Sequence, residues 1–435
     1  MRKVLIITYY WPPCSGSGVQ RWMYFSKYIS NFNYDPFVIT VSEKSASYKN
    51  LDEVFNNHIK DVKTYKTVTS ELVKLYSFLS TGNSKTGIPN GQVGKNKKKN
   101  LFDKIAAFIR ANFFIPDARI GWNYHALKKA RKVIKKEKSN LIINTGPPHS
   151  THLIGLKLKK EFQLKWVADF RDPWSEVYYN HIFKRLSWAI KKDRSLELKV
   201  LKNADRVLTV GMKLKKLLAA KINTNINKFH HIYNGYDAEL MENLKVDKHD
   251  HFELTFVGVL TSNQPYMCVI EAIKFFCMNR KPKNVKFCFA GNIQADILAD
   301  FKKELPFIEI NDNGFVSHRD SLQLMKNSQL LINFLADMKE SEILISGKQM
   351  EYIATGNPIL CIGNQKGESA IILEEIKNSK VFDKTQINQI AEFINYIYDY
   401  WIHNKPFLNE TNSRNIKSKS RYETSKELVH FLNKV

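Results

Sequence analysis

The stretch that decides the fold runs from Gly347 to Leu360 and reads GKQMEYIATGNPIL. A glycine, a short helical pattern and a Gly-Asn-Pro stop lead into the apolar strand Ile359 to Ile362, a helix–strand unit of an α/β domain. A helix that opens after Gly347 presents unpaired N–H groups, which suit phosphate. Glu351 lies four residues further, on the same helix side, where a carboxylate could accept hydrogen bonds from two sugar hydroxyls. The stretch predicts either a nucleoside-diphosphate site or an ordinary helix–strand unit with a solvated glutamate.

Composition indicates a protein with two packed domains. The chain has 435 residues, more than a single core usually supports, and no apolar run reaches the roughly 18 residues that span a bilayer. The apolar run that follows Met1 ends at Thr8, too early for a signal peptide, so it is predicted as a first buried strand. Five cysteines form no zinc-like spacing and are expected to be reduced, mostly buried thiols. They are Cys14, Cys268, Cys277, Cys288 and Cys361.

Positive charge is concentrated in the first half of the chain. Residues 1–235 carry a net charge of +27 and the remaining 200 residues a net charge of −2, within a total of +25. The asymmetry indicates different partners for the two halves, whereas a lysine-rich composition alone would explain only the total. No basic motif with interleaved aromatic residues is present, so nucleic acid is not an expected partner.

Apolar strand-like runs alternate with helical patterns throughout, which predicts parallel α/β sheets. The polar stretch from Asn234 to His251 precedes a fresh strand-first unit. We therefore predict two doubly wound domains, residues 1–235 and 236–410, with a cleft between them. A helical segment, residues 411–435, is expected to cross back to the first domain. The predicted strands are Lys3–Thr8, Pro36–Val41, Asn140–Asn144, Lys165–Phe170, Arg206–Val210, His230–Tyr233, Glu253–Val259, Val285–Ala290, Phe307–Ile310, Gln329–Phe334 and Pro358–Ile362.

A lysine cluster precedes an amphipathic segment in the first half. Residues 81–100 are polar, end with Lys95, Lys97, Lys98 and Lys99, and are predicted to form a mobile loop. The following residues, 101–114, place their large apolar side chains on one helical face. They are Leu101, Phe102, Ile105, Phe108, Ile109 and Phe113. This pattern is typical either of a helix on an anionic membrane or of a helix packed into the domain core.

Three polar loops follow predicted strands of the first half. Gly16 and Gly18 open one, although the third glycine of a dinucleotide fingerprint is replaced by Arg21. His149 lies in the second, which reads TGPPHS, and the third reads DFRDPW from Asp169 to Trp174. Because ligands of parallel sheets bind beyond the carboxyl ends of the strands, the loops are candidates for chemistry.

The last loop holds three charged residues, Asp169, Arg171 and Asp172. An internal ion-pair network that supports Trp174 is the alternative for them, and an ordinary surface histidine is the alternative for His149.

These motifs, in this order, resemble glycosyltransferase family 4, in its bacterial cell-surface-polysaccharide branch. The resemblance rests on Val4–Pro13, Gly16–Trp22, Thr145–Ser150, Asp169–Trp174, Ala204–Val210, Tyr233–Asp237 and Gly347–Ile362. It spans nearly the whole chain and is specific for the family but not for the substrate. It implies the GT-B fold, two doubly wound Rossmann-like domains, and transfer with retention of the anomeric configuration.

The resemblance also implies roles for individual residues. The second domain would bind the nucleotide sugar, with Gly347 and Lys348 near the diphosphate and Glu351 on the ribose. Gly16 and Gly18 would approach the transferred sugar or the phosphates. Catalytic positions would be Asp169, Arg171, Asp172 and His149, and further donor-binding positions would be Gly258, Ser262 and Arg319.

Two features depart from the family pattern. Relatives often carry two glutamates eight residues apart, but Ile343 stands eight before Glu351 and Glu342 is one residue off register. The loop from Gly258 to Pro265 lacks the Arg and Lys that relatives use to neutralise the diphosphate. No D-x-D motif occurs, so we expect no cofactor and no metal requirement.

The sequence therefore predicts a glycosyltransferase of the hexosyltransferase type, acting on a glycan or lipid-linked acceptor in cell-surface polysaccharide biosynthesis. It would be cytoplasmic and peripheral on an anionic membrane, the inner face of the plasma membrane. The alternatives are a nucleotide-sugar epimerase of the same architecture and a non-enzymatic, basic membrane- or nucleic-acid-binding protein.

Overall fold

The computed structural model describes residues 1–48, 51–70, 101–177, 184–246, 250–403 and 414–435. The chain divides into two compact units. The first comprises Met1–Tyr233 together with Ser425–Val435, and the second comprises Asn234–Thr424. The lysine cluster at residues 95–99 lies outside the described residues.

The first unit is built on a parallel sheet of seven strands. They are β1 Arg2–Ile7, β2 Tyr34–Val41, β3 Lys63–Thr67, β4 Leu141–Gly146, β5 Lys165–Phe170, β6 Arg206–Thr209 and β7 Phe229–His231. Their spatial order is β3-β2-β1-β4-β5-β6-β7, and every pair is parallel. Consecutive residues of β1, from Val4 to Ile7, are all fully buried, so this strand is covered on both faces.

The second unit repeats the arrangement with six strands. They are β8 Phe252–Leu260, β9 Val285–Ile293, β10 Glu309–Asp312, β11 Leu330–Phe334, β12 Ile359–Ile362 and β13 Ser379–Phe382. Their order is β10-β9-β8-β11-β12-β13, again parallel throughout. The predicted fold class, two Rossmann-like α/β sheets, is confirmed.

Helices connect the strands in both units. Those of the first unit are Ser17–Ile29, Leu101–Phe113, Trp122–Glu137, Ser150–Phe162, Ser187–Asn203 and Met212–Ala220. Those of the second are Ala238–Glu242, Met267–Arg280, Ala295–Glu304, His318–Asn327, Gln349–Thr355, Glu368–Glu374, Ile387–His403 and Arg414–Ser418. No helix within the described ranges has the length and apolar character needed to cross a bilayer.

The final helix, Arg421–Leu432, belongs to the first unit from Ser425 onward. Leu428, Phe431 and Leu432 join the same core cluster as Ile6 and Trp22, so the end of the chain completes the core that its beginning starts.

Candidate functional site

In the first unit, the loops after β1, β4 and β5 lie together because these strands are neighbours in the sheet. Arg171 joins all three loops. Its guanidinium donates to the carbonyl oxygens of Gly18 and Pro147, and its Nε donates to Gly146 O at 3.3 Å. A Cβ placed on Gly18 would lie 2.8 Å from Arg171 Nη1, so a larger residue at this position would displace the guanidinium. Gly16, which precedes the helix, has φ +108° and is exposed.

Asp169 is completely buried and accepts hydrogen bonds on both oxygens. Its Oδ1 receives Arg21 Nη2 at 3.1 Å, and its Oδ2 receives Trp22 Nε1 at 2.7 Å and Thr145 Oγ1 at 2.8 Å. Arg21 also donates to Ile232 O at 2.8 Å. This geometry is that of an internal network, the alternative left open for Asp169. A catalytic role for Asp169 stays a prediction.

Trp174 does not depend on this network, because its Nε1 donates to Asp193 Oδ1 at 2.6 Å, and Asp193 also pairs with Arg185. His149 is buried and stacks on Trp174 with ring centroids 5.1 Å apart. Burial holds the pKa of His149 well below its usual range, and the neighbouring His152 adds to the effect, so the ring is neutral. Asp172 is exposed at the end of the loop.

In the second unit, the predicted stretch forms the helix Gln349–Thr355, with Lys348 as its N-cap and Gly356 in the left-handed conformation at its C-terminal end. Two buried polar contacts fix this helix. Tyr352 Oη accepts from Val257 N at 2.9 Å, and Gln349 Oε1 accepts from Ser369 Oγ at 2.6 Å.

Glu351 is buried at the base of this helix, and its side chain is only 6 % exposed. Its Oε1 lies 2.8 Å from His318 Nε2, and Lys348 Nζ lies 3.6 Å from its Oε2. Burial acts to raise the pKa of Glu351. The hydrogen bond from His318 and the nearby charge of Lys348 outweigh it and lower that pKa to about 2. The carboxylate is therefore ionised at neutral pH, and the alternative of a solvated Glu351 does not fit this geometry.

The C-terminal end of β8 lies beside Lys348, since a Cβ placed on Gly258 would come 4.0 Å from Lys348 Cγ, so Gly258 belongs to the strand and the predicted loop begins later, after Leu260. Ser262 is exposed in this loop. Gln264 is engaged within the loop itself: its Oε1 accepts from Thr261 N at 2.8 Å, and its Nε2 donates to Val259 O at 3.0 Å.

The sequence prediction included Arg319 but missed its neighbour His318. The structure brings His318 to Glu351 and leaves Arg319 exposed. The sequence does contain a signal for this position. Ser317 and Asp320 mark the start of a helix shortly after β10, and His318 is the first residue of that helix. Gly347 and Glu342 are also exposed. In the part of the chain that is described, no group of three or more His, Cys, Asp or Glu side chains could hold a metal ion.

Comparison with known protein families finds a match to part of the chain. The model of Glycosyltransferase Family 4 matches residues 94–240. The predicted resemblance to glycosyltransferase family 4 is confirmed. The bacterial surface-polysaccharide branch stays a prediction. No curated protein sequence matches the chain significantly.

Solved structures resemble this chain over its whole length. A glycosyltransferase from Rickettsia africae has 12 % identity and a TM-score of 0.63, with 100 % of this chain and 98 % of that chain covered. Anabaena HepE, solved in complex with UDP-glucose, has 12 % identity and a TM-score of 0.62, with both chains fully covered. A putative UDP-N-acetylglucosamine 2-epimerase from Listeria monocytogenes has 12 % identity and a TM-score of 0.53, with 99 % and 96 % covered. These likenesses show the GT-B fold.

Proposed function

We propose that the protein is a retaining glycosyltransferase that moves a hexose-type sugar from a nucleoside diphosphate to a glycan acceptor. The observation that supports it best is Glu351, a buried and ionised carboxylate held by His318 beside Lys348. Such a carboxylate suits the hydroxyls of a ribose, and a neighbouring ammonium suits a diphosphate. The second unit would bind the donor and the first unit the acceptor, as the family resemblance implies.

The chemistry at the first unit is proposed from the same resemblance. Asp172, at the exposed end of the loop that Arg171 organises, is the carboxylate best placed to meet an acceptor. The acceptor would be lipid-linked and the product part of a cell-surface polysaccharide. We propose that turnover needs no metal, with the diphosphate charge balanced by Lys348 and Arg319 and the polar contacts supplied by Ser262 and the backbone at Gly258.

The test of donor binding begins with a thermal-shift screen against UDP-, GDP-, ADP- and CMP-sugars, because a bound ligand stabilises the folded state by mass action. The best ligand is then titrated calorimetrically into the Glu351→Ala variant. We expect binding to weaken by roughly 1.5–3 kcal/mol, the range for hydrogen bonds to a charged group. The matched control is Glu392→Ala, an exposed glutamate of helix Ile387–His403, which should bind as the wild type does. A folded Glu351→Ala protein with unchanged affinity would remove the donor site from this helix.

A nucleotide-sugar epimerase is the second candidate, because a putative epimerase shares the fold over nearly the whole chain. The two reactions differ in their need for an acceptor. Conversion of the nucleotide sugar to its epimer in the absence of any acceptor would favour the epimerase. Consumption of the nucleotide sugar only when a glycan or lipid-linked acceptor is added would favour the transferase.

We also propose that the first unit contacts an anionic membrane. In the helix Leu101–Phe113, the side chains of Ile105, Phe108, Ile109 and Phe113 are exposed, Phe113 by 63 %, so these four do not pack into the core. Phe113 contacts Trp188, itself 44 % exposed, with ring centroids 5.7 Å apart. Asn112 fixes the two segments by accepting from Leu186 N at 2.6 Å and donating to Lys184 O at 3.1 Å.

We name the exposed side chains of the helices Leu101–Phe113 and Ser187–Asn203, with Lys184 and Leu186 before the second helix, the membrane face. Its apolar members are Ile105, Phe108, Ile109, Phe113, Leu186, Trp188 and Ile190, and its exposed cations are Lys184, Lys191, Lys192 and Arg194. Large apolar side chains beside exposed cations suit a bilayer whose headgroups are negative. The protein would then be peripheral on the inner face of the plasma membrane, where a lipid-linked acceptor is within reach.

A further inference from the structure

The two oxygens of Glu351 have different environments. Oε1 is occupied by His318 Nε2 at 2.8 Å. Oε2 is buried and accepts no hydrogen bond from any residue that the structure describes, and the ammonium of Lys348 stays 3.6 Å away. A buried carboxylate oxygen without a donor is costly, so its presence in a fold requires an explanation.

The direction of the hydrogen bond between His318 and Glu351 follows from the charge of the carboxylate. The pKa of Glu351 is lowered to about 2, so its carboxylate is ionised and can only accept. His318 Nε2 must therefore carry the hydrogen of this contact, whether the imidazole is neutral or charged. His318 Nε2 is therefore the donor of this hydrogen bond, and Glu351 Oε1 is its acceptor.

Both partners stand on anchored backbone. His318 begins the helix His318–Asn327, whose N-cap Ser317 accepts from Asp320 N, and Ser321 Oγ donates to His318 O at 2.7 Å. Glu351 stands on the helix that Tyr352 and Gln349 fix. A side-chain hydrogen bond between two fixed helices selects one orientation of the carboxylate before any ligand arrives.

We propose that His318 is a positioning residue of the donor site, which occupies Glu351 Oε1 so that Oε2 is presented to a ribose hydroxyl. The inference rests on the proposed function and deepens it. The ligand class is a nucleoside diphosphate with an intact ribose, and the hydroxyl supplies the hydrogen that Oε2 lacks. His318 itself need not touch the ligand.

The test compares His318→Ala, His318→Gln, Glu351→Ala and the double variant His318→Ala/Glu351→Ala by calorimetric titration. The probes are UDP, GDP and ADP, followed by the 2′-deoxy and 3′-deoxy analogues of the tightest one. Glutamine can place an N–H close to the position of the histidine Nε2, so it is the conservative replacement. Circular dichroism checks the fold of each variant.

We expect His318→Ala to weaken binding by about 2- to 13-fold, the loss of one typical hydrogen bond, and His318→Gln to stay close to the wild type. His318→Ala should add nothing in the Glu351→Ala background, because it acts through that carboxylate. The wild type should lose affinity for at least one deoxy analogue, and His318→Ala should lose less for the same analogue.

Three outcomes would overturn the inference: wild-type affinity in His318→Ala, additive losses in the double variant, or equal wild-type affinity for both deoxy analogues. The last needs no variant, so it holds even if His318→Ala does not fold. If the wild type binds none of the three nucleoside diphosphates, the proposed function fails together with the inference. If it binds one of them and any of the three outcomes above is found, only the inference about His318 fails.

Discussion

At the scale of single residues, Arg171 illustrates how a charged side chain can serve the backbone. A guanidinium has five donors in a planar fork, and here they hold the carbonyl oxygens of three residues from two neighbouring loops. Any substrate that meets the exposed Asp172 meets loops whose shape Arg171 sets.

Replacing Arg171 with Lys should therefore lower turnover strongly while donor binding, assigned to the second unit, stays close to the wild type. Lysine keeps the charge but cannot bridge Gly18, Gly146 and Pro147 at once. Steady-state kinetics with the identified donor measure the effect, and Arg131→Lys, at an exposed ion pair with Glu161, is the matched control. Wild-type turnover in Arg171→Lys would make the loop contacts dispensable for catalysis.

His152 gives the first unit a pH-dependent stability. Burial lowers its pKa from 6.5 to about 3, so the folded state keeps the ring neutral while the unfolded state protonates it below pH 6.5. Below pH 6.5 the unfolded state binds more protons than the folded state. The free energy of unfolding is therefore highest above pH 6.5 with respect to His152, and it declines as the pH falls toward 3. The expected slope is about 1.4 kcal/mol per pH unit.

The His152→Leu variant should lack this contribution. Between pH 6 and pH 4, its free energy of unfolding should fall by about 1.4 kcal/mol per pH unit less than that of the wild type, which corresponds to one proton. Urea unfolding followed by tryptophan fluorescence suits the measurement, because six of the seven tryptophans lie in the first unit. His403→Leu, at an exposed histidine of the second unit, should leave the slope unchanged. A His152→Leu protein with the wild-type slope would contradict the assignment.

Prediction at the level of residues was possible where the signal was local and stopped where the partner was distant. The spacing of Gly347 and Glu351 pointed to a carboxylate at the helix start, and the structure buries one there. The partner of Asp169 is Arg21, 148 residues earlier in the chain, and nothing local distinguishes this buried pair from two catalytic groups.

At the scale of elements, the strands that the sequence missed are both at sheet edges. β3 and β13 each have a single neighbour, so a continuous apolar run is not needed to bury them. β3 reads KTYKT and contains no aliphatic residue. One of its contacts is polar, since Tyr65 Oη donates to Glu137. The eleven strands found from apolar runs include all the central ones, because a strand covered on both faces must be apolar along its length.

The membrane face makes an element-scale prediction. Changing Phe108 to Asp should weaken binding to anionic vesicles at both low and high salt, because the lost contribution is apolar. Changing Lys191 and Lys192 to Gln should weaken binding at low salt and much less at high salt, since salt screens charge. Vesicle co-sedimentation measures both.

The control for this pair is Phe275→Asp, at a half-exposed phenylalanine of helix Met267–Arg280 in the second unit, which should sediment as the wild type does. If the membrane-face variants also match the wild type, the exposed apolar side chains serve another partner. Changing Lys95, Lys97, Lys98 and Lys99 to Gln would then test whether the positive charge of the first half binds anionic vesicles through these lysines instead.

At the scale of the whole molecule, the first unit is discontinuous in sequence. Leu428→Ala should destabilise it by about 2–5 kcal/mol, because the leucine is fully buried in the core cluster that also contains Val4 and Ile6. His430→Ala, at an exposed position of the same helix, should change stability by less than about 0.5 kcal/mol. Urea unfolding monitored by tryptophan fluorescence compares them, and equal stability of the two variants would mean that the last helix contributes no core.

This discontinuity has a consequence for biosynthesis. The ribosome delivers Val4 and Ile6 long before Leu428 and Leu432, yet these four side chains share one core. In the usual order the N-terminal domain folds first during synthesis, whereas here the core of the first unit is completed only after the second unit has been made. The first unit stays incomplete until residues 425–435 have been made, while the continuous second unit has all of its residues earlier, so a truncation before Ser425 would damage the unit whose synthesis began first.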